Sequence, residues 1–184
     1  LFYELNEENS VNSSVYYYKD SDICGDGKLH ASWPWDMEHS LTREGGAASS
    51  WFAAASDLKP ESYWMQFYHH RDFAEAVYKE WMTKFVPALE KALNSETGYD
   101  PDGISSLDWY LGYYGTDAQI NESRWNGSGF AEKLEKIRRI YTVRLDFLTE
   151  ALGLYDTDYI YFYKENGILY GVNAQEESIP VENP

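Results

Sequence analysis

Asp36 and Glu38 stand two positions apart, directly after a stretch that reads as a β-hairpin. Carboxylates are hard oxygen donors, and a pair held where a hairpin stops is a plausible seat for a hard cation such as Mg²⁺. A structural reading competes with it: the two acids cap the turn or meet Arg43. His39 follows them, as a neighbouring ligand in the first reading and as a satisfied surface or core group in the second. Asp100, Asp102 and Gly103 also suggest a cation loop, but the alternating ligands and the twelfth-position Glu of a calcium loop are absent. Ordinary loop chemistry accounts for them. The aromatic side chains, 17% of the chain, could stack on sugars, with Trp33, Trp51 and Trp64 as an exposed row. Aromatics spaced every three or four residues along helices are more often core.

The elements that must position Asp36 and Glu38 come first in the chain. Ser14 to Asp20 is rich in Tyr and Val and reads as a strand, Ser21 to Gly27 as a turn, and Lys28 to Trp33 as the returning strand. Before this hairpin, Leu1 to Glu8 has helical spacing and Glu8 to Ser14 is a polar bridge. After it, Glu44 to Ser50 reads as loop, and Trp51 to Ser56 as loop with a short helix. Lys59 to Tyr68 reads as a helix broken at His69 to Asp72. Phe73, Val77, Trp81, Phe85 and Leu89 recur at spacings of four and predict an amphipathic helix to about Leu93, with a kink or restart near Pro87. Asn94 to Gly103 is loop. Ile104 to Tyr114 is a short helix, extended at most through Ile120, and Asn121 to Gly129 is polar loop. Phe130, Leu134, Ile137, Tyr141, Leu145 and Leu148 define one face of the strongest helix, Phe130 to Leu152, closed by Gly153. Tyr159 to Val172 reads as strand, Glu-Asn-Gly turn and strand, and the tail from Glu176 reads as frayed.

The chain has 184 residues, 43% hydrophobic, with a formal net charge of −16. That length normally makes one domain with a real core. The charge repels nucleic acid phosphates and anionic lipid, so both are excluded as partners. It leaves a basic partner, a cation or simple solubility. Cys24 is alone, so neither an internal disulfide framework nor a Cys-rich zinc site can form. No apolar run reaches the roughly 20 residues of a membrane span. Asn12, Asn121 and Asn126 head Asn-x-Ser sequons, which would be idle in a bacterial protein. Because the chain opens on Leu1, it is expected to be a piece of a longer protein.

The order of Glu4-Leu5, a polar bridge, Ser14, Tyr16, Tyr18-Lys19-Asp20, Lys28-Leu29 and Trp35-Asp36-Met37-Glu38 resembles the second half of the spore-coat CotH family of atypical protein kinases. Trp64 to Trp81 with Asp72-Phe73, then Arg124-Trp125 and the run Arg144-Leu145-Asp146-Phe147-Leu148, resemble that family's helical C-terminal lobe. The likeness covers residues 1–153. It implies an α+β fold: a hairpin over 14–33 followed by the helical lobe of a kinase-like fold over 51–153, with residues 154–184 adding a second hairpin and tail.

The resemblance further implies transfer of the ATP γ-phosphoryl group to a protein substrate, with Mg²⁺ or Mn²⁺ as the metal. Asp36 then holds the metal against the nucleotide, Glu38 assists it, and Asn9 lies near the second metal position. Where the family carries Asn-x-Asp, this chain has Glu8-Asn9-Ser10, so Glu7 or Glu8 would have to supply the missing carboxylate. The nucleotide-binding N-terminal lobe falls outside residues 1–184 and is the implied partner segment. A bacterial, exported or cell-surface location is implied too. The alternative is a pseudokinase-like surface or carbohydrate-binding module without catalysis. His69-His70-Arg71-Asp72 imitates a kinase catalytic loop, but Val77 stands where that loop needs Asn, and a helix junction explains the segment better.

Overall fold

The computed structural model describes residues 1–7, 16–33, 37, 40–51, 67–68, 70–125, 129–155, 158–159 and 161–181. Among these the chain is α+β, with two small antiparallel sheets and long helices. Its elements in order are α1 (Phe2–Leu5), β1 (Tyr17–Lys19), β2 (Leu29–Ala31), a 3₁₀ turn (Gly45–Ala48), α2 (Arg71–Glu80), a π-helical turn (Trp81–Phe85), α3 (Val86–Leu93), α4 (Leu107–Trp125), α5 (Phe130–Leu152), β3 (Tyr161–Glu165), β4 (Ile168–Val172) and β5 (Ser178–Pro180).

The core is built on α5. Phe147, Leu148, Ala151 and Leu152 are buried against Trp81 and Leu89 from the α2–α3 rod, Leu5 from α1, Trp51, and Phe162 and Leu169 from the second sheet. α5 has the expected bounds, but its buried face is rotated from the expected stripe. Ile140, Arg144 and Phe147 are fully buried, while Tyr141 and Leu145 border the core. Sequence spacing alone ranked the apolar stripe and left out the arginine. Gly153 follows the helix, yet its φ of −69° is right-handed, so it terminates α5 without the left-handed cap expected of it.

The proline in the preceding rod acts as its chemistry requires. Pro87 has no N–H to donate, and it enters in the first turn of α3, directly behind the stretch that widens. The turn before it widens to π, with the Val86 N–H reaching the Trp81 carbonyl. Trp81 is fully buried and donates its ring N–H to Thr149 Oγ1 at 3.0 Å, pinning the wide turn to α5.

Three elements differ from expectation. α4 runs through Trp125, so Asn121 to Trp125 is helix and not loop. Arg138 supports it from α5, pairing with Asp108 at 2.8 Å while donating to the Leu93 carbonyl at 2.9 Å. The described part of the tail, residues 176–181, is not frayed: β5 pairs with β4, making a three-stranded sheet in the order β3-β4-β5. Pro180 is tolerated there because β5 is an edge strand. Its neighbour Val181 donates to the Leu169 carbonyl and packs against the core, which a sequence pattern so short does not announce. The first hairpin does form, with Tyr17 opposite Ala31 and Lys19 opposite Leu29, but each described strand is only three residues long.

Candidate functional site

Asn9, Asp36 and Glu38 all lie outside the described residues, as do Glu8, His39 and Trp64. What can be described is the frame on either side of them. The segment carrying Asn9 leaves the described chain at Glu7 and rejoins it at Tyr16. The segment carrying Asp36 and Glu38 leaves at Trp33, includes the described Met37, and rejoins at Ser40. These flanks meet in pairs. Ser32 N–H donates to the Tyr16 carbonyl at 2.8 Å, and Leu41 N–H donates to the Asn6 carbonyl at 2.8 Å. Both segments are therefore anchored at the same two places.

The second anchor is the more elaborate. Glu7 is fully buried with a left-handed φ of 55°, an unusual conformation for a residue with a side chain. Its Oε2 accepts the Arg43 backbone N–H at 3.1 Å, and its Oε1 lies 3.4 Å from Arg43 Nε. Arg43 Nη1 continues to Ser50 Oγ at 2.9 Å. Asn6 accepts the Tyr141 hydroxyl at 2.7 Å on its Oδ1 and donates its amide to the Phe2 carbonyl at 2.9 Å. Burial raises the Tyr141 phenol above its usual range.

Beneath this lies Arg144. Its guanidinium is fully buried and divides its donors between two pieces of chain. Nη1 reaches the carbonyls of Ala48 (3.0 Å) and Ser50 (2.5 Å), and Nη2 reaches the carbonyl and the carboxylate of Glu4 (both 2.5 Å). A buried ion pair survives only with such extra hydrogen bonds, because desolvating two charges costs several kcal/mol per ion, roughly. Arginine can do this and lysine cannot, since only a planar fork reaches both sides at once. The fork holds α1 and residues 48–50 together, and Arg43 and Leu41 lie between them in sequence.

The structure redirects several sequence-based assignments. Glu7, expected as a possible substitute base, is instead locked onto Arg43, so its carboxylate is spent on structure. Among the described residues Arg43 pairs with Glu7; its alternative partners Asp36 and Glu38 lie outside them. Trp51 cannot belong to an exposed sugar-binding row, because it is 5% exposed and lies between Tyr68 and Phe162. Trp33 is exposed. His70 sits at the N-cap position of α2, with Arg71 and Asp72 in its first turn. Asp100 Oδ1 accepts the Asp102 N–H in a local turn, and its Oδ2 accepts from Lys91 at 3.3 Å. Sequence reasoning missed Arg144 as a positioning group. The available signal was an arginine at helical spacing from Ile140, Phe147 and Leu148, on the same face.

Among the described residues no group of three or more His, Cys, Asp or Glu side chains could hold a metal ion. No described helix is long and apolar enough to cross a membrane. The fold and site thus define an α+β protein in which a charged, buried clamp fixes the ends of two polar segments. No protein-family model matches the chain, and neither a curated protein nor a solved structure matches it.

Proposed function

We propose that this chain is the C-terminal portion of a CotH-like atypical protein kinase that moves the γ-phosphoryl group of ATP to a protein hydroxyl. The reading rests on the Trp35-Asp36-Met37-Glu38 resemblance. The observation that carries it further is the paired anchoring: the segments bearing Asn9 and Asp36/Glu38 share both of their tie points. Phosphoryl transfer is mainly positioning and charge stabilisation, so residues that must cooperate need ends that are held together. Arg144–Glu4 and Arg43–Glu7 supply that rigidity.

In this reading Asp36 and Glu38 hold Mg²⁺ or Mn²⁺, to which hard carboxylate oxygens are suited. The metal, when bound, neutralises charge on the nucleotide phosphates. Asn9 offers an amide oxygen as a further ligand or orienting group. Glu8, next to Glu7 in sequence, is then the carboxylate assigned to take the proton from the attacking hydroxyl, since Glu7 is committed to Arg43. The bond between the γ-phosphorus and its bridging oxygen breaks, and ADP leaves. The kinase-like lobe arrangement and a bacterial surface location belong to the same proposal.

The test is transfer of label from γ-³²P-ATP by the full-length protein with Mg²⁺ or Mn²⁺, beside Asp36→Ala. Label incorporated by the wild type and lost in the variant is the expected result. No label in either, with circular dichroism showing both folded, overturns the assignment.

A further inference from the structure

We draw no further inference here: the strongest candidate, the aromatic cleft where the exposed Tyr110 and Tyr114 of α4 meet Phe130 and Leu134 of α5, is an apolar face, and nothing in the structure shows what covers it.

Discussion

The two β-hairpins begin from similar sequence and end in opposite circumstances. Both are rich in Tyr, both close through a turn with a left-handed glycine, Gly27 at φ 72° and Gly167 at φ 79°, and both pair antiparallel. The first leaves most of its described side chains exposed. Tyr16, Tyr18, Leu29 and the turn residue Ile23 are all exposed, and its closest internal contacts are local: Tyr18 stacks on His30 at 5.0 Å, and His30 Nε2 lies 3.0 Å from Asp26 Oδ1. The Lys28 backbone N–H, followed by His30, holds the Asp26 carboxyl below its usual range. The second hairpin buries Phe162 and Leu169 in the core. A two-stranded hairpin is marginal alone, and among the described residues the second has a third strand and buries Phe162 and Leu169.

The second hairpin is also stitched to the clamp. Trp51 N–H donates to the Phe162 carbonyl at 3.2 Å, Lys164 N–H donates to the Ser49 carbonyl at 2.7 Å, and Ser50 bridges to Tyr163. Residues 49–51 thus run along β3, and their position is set by Arg144. A buried charge can direct a sheet in this way when its hydrogen bonds run to backbone carbonyls, which side-chain substitution elsewhere does not alter.

The sharpest way to break this contrast is Arg144→Ala. It removes the guanidinium from the buried Glu4 carboxylate and from the Ala48 and Ser50 carbonyls, so it should cost about 3–5 kcal/mol of global stability in urea melts. Phe162→Ala should cost about as much through the cavity it opens. In the first hairpin, by contrast, Tyr18→Ala should change the stability read from urea melts by no more than about 0.5 kcal/mol.

Alkaline pH should act on the clamped half. Burial raises the phenols of Tyr68 and Tyr141 above the ordinary value of 10.0. In the unfolded chain they ionise first, so the folded state binds more protons above that pH. Stability is therefore intact below pH 10 and falls as pH rises beyond it. Melting temperatures of the Tyr68→Phe, Tyr141→Phe double variant, followed from pH 8 to 11, should decline less steeply than those of the wild type.

The smallest effects sharpen the contrast further. Alanine at either turn glycine must adopt a left-handed conformation, at about 1 kcal/mol. Gly167→Ala should lower the global melt by that amount. Gly27→Ala should speed amide exchange within β1 and β2 and leave the global melt alone, because little else unfolds with them.

Legibility followed the range of the interactions involved. The helix over 130–152, the hairpin turns and the irregularity before Pro87 were readable because periodicity, turn chemistry and a missing donor act within a few residues. The extension of α4 through Trp125 was not, because its sequence there, Ile-Asn-Glu-Ser-Arg-Trp, is locally loop-like, and one tie there, the Phe130 N–H donating to the Glu122 carboxylate, reaches across to α5. β5 was missed for the same reason: its pairing with β4 comes from the neighbouring strand. As for the candidate site, the sequence proposes Asn9, Asp36 and Glu38, while the described residues show how their surroundings are held.

The sequence by itself determined the element types where local physics dominates, the single domain's worth of apolar residues, and an acidic surface hostile to phosphate backbones. Only the tertiary structure decided that Arg144 and Glu7 are buried, that Trp51 is core, and that the tyrosines of α4 face water. The physical reason is one of distance. Propensity and periodicity act over a turn or two of chain, whereas the Arg144 clamp joins residues 4, 48 and 50 to residue 144, and no local pattern encodes a partner that far away.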